Sequence, residues 1–249
     1  ARRLGSSLLN MGERGWKTPQ WLALAVLTVG GLVWVGYFTH SPWMERLQPG
    51  RANANMTPAT AAGFILGACG LLLAGRWRSV AMVGMVALSI AGLYGNIANT
   101  GLVIDLPSWS AWAQGDAPHP GRMSPVTALG FLFFAMAVLL LPHTRTMRRG
   151  KLVSWLTGLV VATGLTGVLG FFIRLELIFA QYELARMAFL SGLCLLLLGE
   201  GLWLQWKGLR WNRSIEGERG RRIMGAAAFT LVGVVVAAGF GSLWVLQRL

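Results

Sequence analysis

The chain has 249 residues, 55% of them hydrophobic and only 12% charged, with a formal net charge of +13. Its apolar residues fall in blocks of about twenty and not in the alternating patterns of a soluble domain, which excludes an ordinary water-soluble core. The basic residues are spread over short stretches between the blocks, so nucleic acid is excluded as a partner and the charge reads as topology signal and anionic-lipid contact.

Residues 1–20 read as an N-terminal interfacial segment. Its first 17 residues form a short amphipathic helix with Arg2, Arg3, Arg14 and Lys17 on the wet side. Seven apolar blocks follow, at 21–38, 58–75, 80–104, 124–142, 152–173, 187–206 and 223–246. Since about 20 apolar residues cross a hydrocarbon core of roughly 30 Å, residues 21–249 are expected to form an all-α polytopic bundle of about seven transmembrane helices. Alternate loops carry sixteen Lys/Arg on the side of the N-terminus and six on the other. The positive-inside bias therefore places the N-terminus in the cytoplasm, and an odd number of crossings leaves Leu249 outside. Ten of the twelve tryptophans, Trp21, Trp77, Trp155 and Trp203 among them, map near predicted interfaces as an aromatic belt.

One phrase occurs twice. Pro49-Gly50-Arg51 with Met56-Thr57-Pro58-Ala59-Thr60-Ala61-Ala62-Gly63-Phe64 returns as Pro120-Gly121-Arg122 with Met123-Ser124-Pro125-Val126-Thr127-Ala128-Leu129-Gly130-Phe131, 67 residues on from Met56 to Met123. Each copy leads into an apolar block, so it marks a helix entry that was duplicated with its helix pair. Thr57 and Ser124 are placed to cap helices whose first turns hold Pro58 and Pro125, where a missing amide costs nothing. A third, degenerate copy is expected over 182–206. There Gly192 and Cys194 echo Gly67 and Cys69 at a spacing of 125, and Tyr182-Glu183-Leu184-Ala185-Arg186 replaces the entry phrase. The repeats thus lie near 49–104, 120–173 and 182–206.

With Gly101-Leu102-Val103-Ile104-Asp105 before it, the second copy resembles the N-terminal multi-span membrane region of bacterial sensor proteins. In such proteins similar segments precede PAS, histidine kinase or diguanylate cyclase modules. The resemblance implies a non-catalytic sensory input domain in the bacterial inner membrane, its catalytic output lying in another part of the protein. Partners so implied are membrane lipids and a homo-oligomer or larger membrane complex.

The candidate ligand-binding residues all fall at the predicted outer face: Arg51 and Arg122 in the two entry loops, His40 and His119 before them, and Asn96 and Asn99 near the end of block 80–104. The arginines can meet an anionic ligand or a lipid phosphate. The asparagines share a helix face for hydrogen bonds between helices, with Tyr94 beside them lining an outer pocket. No set of neighbouring ligands suggests a metal, and no cofactor is assigned. Glu200 is the deepest ionisable group in a block and reads as snorkelling beside Lys207. No Walker loop, Ser-His-Asp order or paired intramembrane carboxylate occurs, so no enzyme active site is expected. An integral accessory or scaffold subunit of a respiratory or photosynthetic complex is the alternative reading. A small transporter fits less well, since the repeats carry no broken helices or midplane charge pairs.

Overall fold

The computed structural model describes residues 18–40, 56–98, 121–143, 147–172 and 189–208. Among them are six α-helices and no strand: α1 (Thr18–Thr39), α2 (Pro58–Leu72), α3 (Arg76–Ile97), α4 (Pro125–Leu140), α5 (Met147–Phe172) and α6 (Phe189–Gly208). A 3-10 turn, Leu141–His143, follows α4. The block at 223–246 and most of the segment 1–20 lie outside the described residues.

Two helices start earlier than the apolar blocks predict. Positions 75–79 and 147–151 are expected to be loop, yet α3 begins at Arg76 and α5 at Met147. Arginine and lysine are good helix formers, so a helix continues past the edge of its apolar stretch into the headgroup level. At α3 the turn is left to Leu73–Gly75, with Gly75 at φ 62°, a conformation that glycine adopts without penalty.

Four helices, α1, α3, α5 and α6, are long and apolar enough to cross a membrane. Their outward faces are as apolar as their inward ones. Trp21, Leu32, Val35 and Phe38 on α1 and Trp77, Val80, Val83, Ile90, Tyr94 and Ile97 on α3 are all exposed. In water such stripes would be an aggregation hazard, whereas hydrocarbon is their natural solvent. A multi-pass membrane protein fits this surface.

The helices close into a ring in chain order, α6 returning to α1, while α2, α4 and α6 also touch one another. These three form the centre, and α1, α3 and α5 pack around them. The central packing is layered. Phe64 and Phe131 meet edge to face with ring centroids 4.8 Å apart. The space beside Gly67 is filled by Leu198 and Phe134, and that beside Gly130 by Leu195. The buried positions 63, 64, 67, 68, 70 and 71 of α2 recur at 130, 131, 134, 135, 137 and 138 of α4 and at 194, 195, 198, 199, 201 and 202 of α6. The spacing from α2 to α6 is therefore 131, six residues beyond the spacing of 125 that the Gly-x-Cys match suggests. Leu195 takes the level of the two phenylalanines because filling the axis is a matter of shape and depth. Gly192 instead serves the close approach of α5, where a Cβ would meet the Val168 amide nitrogen at 2.9 Å.

Each outer helix crosses its inner neighbour on small residues at matching levels. A Cβ on Gly30 would lie 3.1 Å from the Ala61 carbonyl, one on Gly92 3.8 Å from the Ala128 Cβ, and one on Gly164 3.0 Å from the Gly192 carbonyl. Positions 61, 128 and 192 follow the same 67 and 131 spacings. Without water to drive helices together, close van der Waals approach through small residues is the main source of adhesion.

Candidate functional site at the helix entries

The inner helices α2 and α4 have 15 and 16 residues. At 1.5 Å per residue they reach only ~22–24 Å, less than the hydrocarbon thickness. Their entry segments are consequently drawn into the bundle: Met56 and Met123 are each 1% exposed. Extended backbone at such depth persists only where the protein itself satisfies its polar groups.

Local capping serves the amides. Thr57 and Ser124 are extended (φ −74°, ψ 157° and φ −65°, ψ 143°), and each precedes a proline in the first turn. The Thr60 amide donates to Thr57 Oγ1 at 3.2 Å, and the Thr127 amide to Ser124 Oγ at 3.2 Å. The hydroxyls of each pair are also hydrogen-bonded, Thr57 with Thr60 at 2.9 Å and Ser124 with Thr127 at 2.8 Å.

Neighbouring helices serve the carbonyls. Tyr37, near the end of α1, donates its hydroxyl to the Met56 carbonyl at 3.1 Å. Asn96, near the end of α3, donates Nδ2 to the Met123 carbonyl at 2.9 Å and to the Gly92 carbonyl of its own helix at 2.7 Å. At the opposite end of α2, Gln205 Nε2 of α6 donates to the Leu71 carbonyl at 2.8 Å. All three bonds place a side-chain donor on a backbone oxygen at the end of a short inner helix. Leaving such a group buried and unmet costs ~1–3 kcal/mol.

The sequence-predicted residues divide accordingly. Asn96 and the Arg122–Met123 segment come together, and Arg122 is half buried after Gly121, which turns the chain at φ 88°. His40 follows the last residue of α1 in a left-handed conformation (φ 46°), three residues beyond Tyr37, and is exposed. Arg51, His119 and Asn99 lie outside the described residues. Tyr94 does not line a pocket with Asn96, because it is 61% exposed on the outward stripe of α3. Two positions apart on a helix differ by about 200°, so the two side chains leave opposite faces. Glu200 is exposed on an outward stripe of α6 with Leu193 and Lys207, and the Lys207 ammonium sits over the Trp203 ring, 4.9 Å from its centroid. Among the described residues no cluster of three or more His, Cys, Asp or Glu could hold a metal ion.

Tyr37 and Gln205 escape a reading by charge and motif. Their signal is a hydrogen-bonding side chain within one turn of a block end, close to where a capped helix starts or stops. No protein-family model, curated protein or solved structure matches this chain.

Proposed function

We propose that the chain is a membrane-embedded sensory input module of a bacterial signalling protein, non-catalytic in itself, sitting in the inner membrane with its N-terminus in the cytoplasm. In this reading the segments 49–104, with α2 and α3, and 120–173, with α4 and α5, are copies of one helix-pair unit, 182–206, with α6, is a worn third copy, and the block 223–246 supplies a seventh crossing. The observation that carries it is the pair of buried entries, each with a backbone carbonyl that accepts a hydrogen bond from a side chain of a neighbouring helix. A ligand, lipid or quinone that competes for one of these carbonyls, or for Arg122 beside it, changes the helix packing. Any such effector acts only through a difference in affinity between two packings.

The test is Asn96→Leu in cells carrying the intact gene. Of the two hydrogen bonds lost, the one to the Met123 carbonyl is the one between helices, and its loss, about 1 kcal/mol, should move the kinase or cyclase output roughly fivefold. An output unchanged at normal expression would remove the entry site from the proposal.

A second reading, an accessory subunit of a larger membrane complex, is favoured by Glu200, since a carboxyl directed outward from a span is better met by a partner helix than by lipid.

A further inference from the structure

We propose that the basic end of α5 is a binding site for an anionic phospholipid, formed by Arg148, Lys151 and Trp155. The described lysines and all described arginines but Arg122 gather at the end of the bundle opposite the entries: Arg76 and Arg78 on α3, Arg148, Arg149 and Lys151 on α5, and Lys207 on α6. Several of them are committed within the protein. The Arg76 guanidinium lies over the Trp77 ring, 5.3 Å from its centroid, Lys207 lies over Trp203, and Arg78 donates Nε to the Leu73 carbonyl at 3.1 Å. Arg148 and Lys151 have no such partner among the described residues and are exposed.

Their spacing makes a column. Arg148, Lys151 and Trp155 are three and four residues apart, so they share one helix face, with Leu152 beside them. Leu152 is 45% and Trp155 50% exposed. From the helix end inward the column runs from two cations to a leucine and then an indole. A phospholipid laid along it meets the cations with its phosphate and rests its glycerol and upper acyl chains against Leu152 and Trp155. Two uncommitted cations on one face favour a lipid with net negative charge over a zwitterionic one. The site is independent of the sensory reading, because it uses none of the entry residues.

The experiment is native mass spectrometry of the full chain released from mixed micelles containing phosphatidylglycerol and phosphatidylcholine. The wild type should retain phosphatidylglycerol preferentially, and Arg148→Gln with Lys151→Gln should cut that preference about tenfold while phosphatidylcholine adducts persist. The comparison variant Arg76→Gln with Lys207→Gln should keep the preference within about twofold. Three results overturn the proposal: no preference in the wild type, an unchanged preference in the α5 variant, or an equal loss in both variants, which would indicate diffuse charge. Displacement of phosphatidylglycerol by excess inorganic phosphate would assign the site to a free anion and overturn it as well.

Discussion

Helices α2 and α4 begin with closely similar phrases and the same kind of hydroxyl cap, yet different chemistry holds them in place. At the first entry the Met56 carbonyl takes a hydrogen bond from a phenol that is itself 1% exposed. At the second, the Met123 carbonyl takes one from an amide that is half buried and divides its donors with Gly92. What the two share is a physical demand: an extended segment inside a bundle needs a donor for its outward-facing oxygen. Any side chain of suitable reach on the preceding helix can meet it, so the donor differs in type and in distance along the chain, 19 residues at one entry and 27 at the other. The contrast also ranks the two, because a donor sealed from water is harder to replace than one that solvent can reach.

The sharpest way to break this comparison is to crowd the axis below each entry. A Cβ on Gly63 would fall 2.2 Å from the Phe131 ring, whereas one on Gly130 would meet the Leu195 methyl at 2.9 Å. A rigid ring wedged between helices cannot turn aside as a leucine can. Gly63→Val should therefore cost about 3 kcal/mol and Gly130→Val about 1–2 kcal/mol, read from unfolding by dodecyl sulfate in mixed micelles. Equal costs would mean that the two levels are not packed as described.

Next in size come the donors. Tyr37→Phe keeps the ring and removes the hydroxyl that donates to the Met56 carbonyl; a loss of about 2 kcal/mol is expected, and about 1 kcal/mol for Asn96→Leu, where water can step in. If the asparagine variant proves the more damaging, the ranking by burial is wrong. The caps should differ least. Thr57→Ala and Ser124→Ala are each expected to cost about 1 kcal/mol, and a gap well above that between them would show that the duplicated phrase is not duplicated in energy.

Much of this architecture is legible without coordinates. The entry signals are written locally: Thr57-Pro58 and Ser124-Pro125 specify cap and first turn within a few residues, and both helices begin where those pairs place them. The apolar blocks announce α1 and α4 nearly to the residue. Less legible are the starts of α3 and α5, where a basic run that looks like loop propagates the helix. The third inner helix is harder still. Its matching glycine and cysteine suggest one register, while the packing places Leu195 and Leu198 beside the Phe131 and Phe134 levels. Of the candidate site, Asn96 and Arg122 were visible as polar groups near a block end, but Tyr94 and Tyr37 could not be told apart. One phenol faces outward and the other inward, and a helix that is apolar all round gives no sign of which side is which.

By itself the sequence determined that this protein is helical, apolar on every side and built around two closely similar helix starts, because capping, proline and hydropathy act over a handful of neighbours. Only the tertiary structure decided which helices stand at the centre, at what level they meet, and which side chain answers each buried carbonyl. Those choices depend on how shapes fill a shared axis and on which donor comes within about 3 Å of an oxygen, distances set by residues far apart in the chain.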